Sequence, residues 1–162
     1  MTSFTIAQQL QSVLSLIAQT SERHGRNADN IRLIAVSKKQ AVQAILSAAN
    51  AGQRDFAENY LQEAIPKIQN LQGNHLCWHF IGRLQSNKLK DIATHFDWVH
   101  TLVSVRHVER LAAARPDGLG PLRICLQVNI SDEITKGGIK HTDKSALCAL
   151  ANAVLRLSLI HI

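Results

Sequence analysis

Aromatic residues are scarce in this chain: two Trp, one Tyr and four Phe, 4% of 162 residues. So few rings argue against the stacking platforms on which proteins hold single-stranded nucleic acid. Cysteine is equally sparse. Cys77, Cys125 and Cys148 are odd in number, widely spaced and set in apolar segments. That pattern predicts reduced thiols and a cytoplasmic location rather than a disulfide framework. No stretch approaches the length of a membrane span. The opening residues, Met1-Thr-Ser-Phe-Thr-Ile6, lack the basic start and apolar run of a signal peptide. Low-complexity tracts, domain linkers, a glycine-rich dinucleotide fingerprint and a Ser or Cys nucleophile motif are all missing.

What is present fits one domain with a substantial core. Hydrophobic residues make up 46% of the chain, too many for a disordered one. The net charge of +6, from 18 Lys+Arg against 12 Asp+Glu, raises the possibility of a polyanion partner. The basic residues are scattered from Arg23 to Arg156, however, and the dense stretch Lys88-Leu-Lys90 is followed at once by Asp91. No basic stripe forms, so neither a nucleic-acid face nor a membrane-binding one is expected.

Periodicity predicts an amphipathic helix over 4–24, with Leu10, Val13, Leu14, Ile17 and Ala18 on one stripe and Thr2 or Ser3 as its cap. Gly25 follows its end. A repeat of strand and helix then begins. Strands are predicted at 32–37, 54–58, 75–81, 97–102 and 121–129. Helices are predicted at 41–51, 60–72, 84–95, 104–115 and 142–156. Such alternation means a parallel sheet with helical crossovers. The units average about 25 residues, and a closed barrel needs eight of them, so roughly 75 further residues would complete one. Leu155-Arg-Leu157 reads as the start of a sixth strand. The fold class expected is therefore α/β, an incomplete (β/α)8 barrel of about five βα units preceded by a helix. An unclosed barrel leaves two strand edges unpaired, and poor folding in isolation is expected. The last six residues, Leu157-Ser-Leu-Ile-His-Ile162, equal the in-frame translation of a transposase-end adapter sequence. The expected division is thus a partial barrel domain over 1–156 and a non-native tail over 157–162.

Parallel α/β arrays bind ligands at the carboxyl ends of their strands. Polar groups gather there after every strand: Ser37, Lys38 and Lys39; Glu58, Asn59 and Tyr60; His79, Gly82 and Arg83; His100 and Thr101; Gln127, Asn129, Ser131, Asp132 and Lys136. The segment Gln85-Ser-Asn-Lys88 opens the following helix. Period-two alternation puts Lys38 on the face of Ile34 and Val36, and turns Ser37 and Lys39 the other way, toward the helix layer or solvent. An amine held at a strand end between apolar walls is suited to condensation with a carbonyl. His75, Cys77 and His79 share one face of the third strand. Alternate positions there lie about 6.5–7 Å apart, too spread for a zinc site without ligands from other strands, so no metal is expected. Gln127 and Asn129 read either as mouth polarity or as hydrogen-bonding groups for a ligand ring. Lys136-Gly137-Gly138 reads as a turn in preference to a lid.

Leu33-Ile-Ala-Val-Ser-Lys38, Gly52-Gln-Arg-Asp-Phe-Ala-Glu-Asn-Tyr60, Trp78-His-Phe-Ile-Gly82, Leu84-Gln-Ser-Asn-Lys88 and Gln127-Val-Asn-Ile-Ser131 occur in order and at compatible spacing. Together, over residues 4–156, they resemble the pyridoxal phosphate homeostasis proteins, which share the alanine racemase N-terminal-domain fold. The resemblance implies pyridoxal 5'-phosphate as cofactor, held as a Schiff base on Lys38, with Asn59, His79 and Ile81 beside its ring and Lys136 matching a loop lysine. It also implies a role in intracellular supply of the cofactor to dependent apoenzymes, without a robust turnover reaction of its own. Three positions depart from the family pattern. Ala57 stands where Gly is common, Lys39-Gln-Ala41 replaces Thr-Lys-Pro, and Gly137-Gly-Ile139 replaces Ser-Gly-Ile. The loops after strands seven and eight, which hold the phosphate in such barrels, have no counterpart here. The alternatives are an amino-acid racemase-like enzyme, which needs a second acid/base group opposite the lysine, and a polyanion-binding module.

Overall fold

The computed structural model describes residues 4–133 and 135–157. Helix α1 spans Ile6–Arg23, and five βα units follow. They are β1 (Ala35–Val36) with α2 (Val42–Asn50), β2 (Asp55–Glu58) with α3 (Leu61–Asn70), β3 (Cys77–Phe80) with α4 (Leu89–His95), β4 (Trp98–Leu102) with α5 (Val105–Ala114), and β5 (Arg123–Leu126) with α6 (Lys144–Arg156). Between β5 and α6 lie two short strands, β6 (Val128–Asn129) and β7 (Ile139–Lys140).

All neighbouring strands of the five-stranded sheet are parallel, and their spatial order is their chain order. A doubly wound sheet reverses its strand order partway, and this one does not. Each crossover therefore advances the same way and leaves its helix on the same side, which builds an arc of a (β/α)8 barrel. The two sides of the sheet are chemically distinct. Phe56, Trp78, Phe80, Val99 and Ile124 point to the helices and join one apolar cluster with Ile45, Leu61, Ile68, Ile92, Phe96, Val108, Leu111 and Val154. Phe80 meets Phe96 edge-on, with ring centroids 5.3 Å apart. Truncating a ring so enclosed costs about 3–5 kcal/mol. The other side carries Asp55, Ala57, Cys77, His79, Trp98, His100, Arg123 and Cys125, at alternate positions.

Several boundaries differ from the sequence reading, each for a local reason. The cap of α1 is Thr5, not Thr2 or Ser3. Thr5 and Gln8 form a reciprocal capping box, a pattern present in the sequence as Thr-x-x-Gln. The predicted stripe of α1 is mostly exposed. Val13 and Leu14 face solvent, while Leu10 and Ile17 are half-buried. Strand β1 is shorter than 32–37 because the amide of Gln53 takes over its bonding: Gln53 Nε2 donates to Leu33 O at 2.8 Å and to Asp55 O at 2.6 Å. The predicted strand 121–129 divides after Leu126. Val128 and Asn129 leave the main sheet and pair with Ile139 and Lys140. The predicted start of a sixth strand is instead the last turn of α6. The expected tail, 157–162, lies outside the described residues apart from Leu157. Cys148 is exposed rather than interior. Among the described residues no helix is long and apolar enough to cross a membrane.

Candidate functional site

The ladder itself places the first group of site residues. Val36 pairs with Ala57 and Ala57 with His79. The pairing runs on past the strand ends, with Ser37 N–H donating to Ala57 O at 2.9 Å and Ile81 N–H donating to Glu58 O at 3.0 Å. Two residues beyond the paired row come Lys38, Asn59 and Ile81, side by side at the carboxyl rim and on the barrel-interior side. Lys38 is exposed, and Val36 below it is 51% exposed, because β1 is an edge of the arc. Among the described residues the Lys38 amine has no ion-pair partner. Asn59 is half-buried, and its Oδ1 is shielded from solvent without a hydrogen-bond donor. Gly82 is forced by close approach: a Cβ there would collide with the carbonyl of Asn59. The absence of that carbon lets the chain after β3 lie directly against the rim.

Beneath this row lies a polar layer. His79 is 1% exposed and has both ring nitrogens engaged. Its Nε2 is 2.9 Å from Asp55 Oδ1 and its Nδ1 is 2.9 Å from His100 Nε2. Burial lowers the pKa of His79 despite the opposing pull of Asp55, and lowers that of His100, helped by His79. Both rings are thereby favoured neutral. A carboxylate only accepts, so Nε2 of a neutral His79 carries the proton toward Asp55, and Nδ1 accepts from His100. Trp98 stacks on His79, with centroids 5.6 Å apart and planes within 9°, and the Arg123 guanidinium lies 5.4 Å from the Trp98 ring centre. His79 is thus committed to its neighbours, with no ring nitrogen left for a ligand on the rim.

Asp55, Cys77 and His79 offer three ligand atoms within 4.8 Å of one another. His75 does not join them. His75 is exposed, and its φ of 52° turns the chain before β3 begins. Burial, then Asp97 and Asp55, push the Cys77 thiol up to about 12, so it stays protonated at neutral pH and is a poor metal ligand as it stands.

A cavity of about 580 Å³ opens at the ends of β3, β4 and β5, lined among others by Ile81, Arg83, Thr101, His107, Gln127 and Lys136. Strand β4 carries one extra residue between Val99 and Leu102 against Ile124–Leu126, a bulge located at His100–Thr101. Thr101 Oγ1 donates to Gly82 O at 2.6 Å, joining the bulge to the rim. The loop after β6 is a fastened turn. Asn129 Nδ2 donates to Glu133 O at 3.0 Å and to Lys136 O at 3.3 Å, and Lys136 Nζ donates to Glu133 Oε1 at 2.6 Å. Gly138, at φ 126°, has room for no side chain against Asn129 N. Asn129 is therefore a latch of the loop, while Gln127 lines the cavity. The sequence reading missed Asp55 as a partner of His79. The signal was available, since Asp55 lies on the same strand face as Ala57 and Asn59.

A singly wound parallel arc with a free amine on its carboxyl rim defines a class, the α/β barrels that bind ligands at that rim. The family model described as "Alanine racemase, N-terminal domain" matches residues 9–162, and the chain belongs to this family and to the pyridoxal phosphate homeostasis proteins within it. A relative so named from Pseudomonas aeruginosa is 46% identical over 153 residues, covering 94% of this chain and 65% of the relative. Another, from Escherichia coli K12, is 45% identical over 157 residues, covering 95% of this chain and 67% of its own. The chain thus spans about two thirds of the length of these relatives. PipY of Synechococcus elongatus PCC7942, solved with PLP bound, superposes with a TM-score of 0.71 at 35% identity, covering 90% of this chain and 67% of PipY. The crystal structure of an unknown protein from Bifidobacterium adolescentis superposes with a TM-score of 0.82 at 29% identity, covering 98% of this chain and 67% of that one.

Proposed function

We propose that this protein binds pyridoxal 5'-phosphate, that Lys38 holds it as a Schiff base, and that it serves in the intracellular supply of the cofactor. The observation that supports this most directly is the position of Lys38, an unpaired amine in one rim row with Asn59 and Ile81. The residues present suit the group. The orphaned Oδ1 of Asn59 awaits a donor, and Arg83 brings positive charge to the adjacent cavity, where a phosphate would be welcome. The chemistry supplied by the bound cofactor is that of an aldehyde able to condense with an amine. Lys38 Nζ, in its neutral form, adds to the aldehyde carbon. Loss of one water then leaves a carbon–nitrogen double bond, with no redox change. Dependent apoenzymes are the proposed recipients.

Incubation with pyridoxal 5'-phosphate, reduction with borohydride and peptide mapping by mass spectrometry test the assignment. The expected adduct lies on the peptide containing Lys38 and disappears in Lys38→Ala. An adduct of undiminished yield in Lys38→Ala, carried by another lysine, would overturn it.

A further inference from the structure

We infer that Glu63, Glu58 and Lys67 are positioning residues that fix the direction of Lys38 from the opposite side of the sheet. The inference rests on the reading of Lys38 just given and deepens it. Lys38 and Lys39 are the central residues of a tight turn closed by Gln40 N–H donating to Ser37 O at 3.0 Å. Lys39 adopts φ 60°, a left-handed conformation uncommon for a residue with a long side chain. Such a conformation persists where the surroundings enforce it. Here the Lys39 N–H donates to Glu63 Oε2 at 3.0 Å, which holds the residue after Lys38. The residue before it is held by two further bonds. Ser37 Oγ donates to Glu58 Oε1 at 2.7 Å, and Lys67 Nζ donates to Ser37 O at 2.9 Å. Lys67 Nζ also donates to Glu58 Oε1 at 2.8 Å and approaches Glu63 Oε2 at 3.9 Å. Both neighbours of Lys38 are therefore tied to one ionic cluster in the helix layer, while period-two alternation assigns Lys38 to the other face.

The cluster is costly for the fold alone. Glu58 is fully buried, Lys67 is 8% exposed, and Glu58 Oε2 has no hydrogen-bond partner. Buried ion pairs contribute little net stability compared with apolar side chains of similar volume, and geometric definition is the return they can give. What this one defines is the turn that carries the amine. A reactive group held within a fraction of an ångström of its productive position needs such support from behind.

The test uses Glu63→Ala and Glu63→Gln in the whole chain. Glu63 is 41% exposed, so its loss leaves the core intact. The alanine variant removes the acceptor for Lys39 N–H, while the amide oxygen of glutamine restores it. Glu63→Ala is expected to keep the melting temperature and to weaken pyridoxal phosphate binding about tenfold, the loss of one charge-assisted hydrogen bond. Glu63→Gln is expected within about twofold of the parent, on the same reasoning. Without any cofactor, amide exchange at Lys39 should accelerate about tenfold in Glu63→Ala and remain slow in Lys38→Ala. Unchanged binding or unchanged Lys39 exchange in Glu63→Ala overturns the inference, as does a glutamine variant that behaves like alanine. Failure of the Lys38 assignment shows separately, as an adduct that survives Lys38→Ala while Lys39 exchange still responds to Glu63.

Discussion

Replacing Lys67 with methionine removes the cation that pairs with the Glu58 carboxylate and keeps most of the aliphatic stem that packs in α3. Glu58 has no access to solvent, so its charge then loses a partner at 2.8 Å without gaining water. Ser37 O loses a donor at 2.9 Å in the same step and keeps only Gln40 N–H. Breaking a buried pair on one side costs about 3–5 kcal/mol. That is a large share of the 5–15 kcal/mol that holds a typical domain, and it corresponds to a fall in melting temperature of roughly 6–20 °C for a chain of this size. The assay is urea unfolding followed by fluorescence of Trp78 and Trp98. The midpoint should fall with little change in the slope, because the surface exposed on unfolding is nearly the same. The double variant Glu58→Leu with Lys67→Met should recover most of the loss, since it removes the stranded charge together with its partner. A single variant that costs less than about 1 kcal/mol would refute the reasoning, because it would mean that the carboxylate reaches water or another donor without Lys67.

Three other outcomes follow from the same geometry. His79 and His100 have pKa values below their ordinary 6.5 in the fold, so below that pH the unfolded chain takes up protons that the folded one resists. Stability should therefore decline as pH falls from about 7 toward 5, by at most about 1.4 kcal/mol per pH unit for each ring, and a stability flat over that window would contradict their neutral state. Iodoacetamide at neutral pH should modify exposed Cys148 first and leave Cys77 and Cys125, both raised by burial, largely unreacted until the chain unfolds; early labelling of Cys77 on peptide mapping would show its environment to be wrongly described. Gly82→Ala sets a methyl group against the backbone of Asn59, which has no rotamer to give, and should cost about 1–3 kcal/mol in denaturant unfolding; a neutral effect would mean that the rim has slack between β2 and β3.

The strand-and-helix alternation was legible because each unit is closed by strong local signals. Gly52 and Gly73 sit at φ 104° and 86° just past α2 and α3, and the strand cores Phe56-Ala-Glu58 and Trp78-His-Phe80 alternate their faces as period two requires. The face of Lys38 was legible for the same reason, while Asn59 and Ile81 came to notice through the family resemblance. What the sequence concealed depends on side chains that replace backbone bonds. Gln53 stands in for the ladder at Leu33, and Asn129 ties down the loop that continues from β5, so β1 starts later and β5 ends earlier than their apolar runs suggest. His79 was expected beside the cofactor ring, and the groups that engage its ring nitrogens, Asp55 and His100, come from the two flanking strands.

The two sides of the sheet hold different polar groups, and Lys38 stands where they meet. On the helix side, Lys67 and the two glutamates form ionic bonds to the backbone and side chain of the turn. On the interior side, desolvation keeps His79 and His100 neutral and the Cys77 thiol protonated. A charge left unpaired on the interior would compete for the anion of an incoming ligand or bind its own counter-ion, and neutral imidazoles do neither. The period of two is what makes this division possible. Moving the lysine by one residue, to position 37, would turn its amine toward the helix layer and break the contact that Ser37 makes with Glu58. Its neighbours on either side must be fixed from behind for the amine to be free in front.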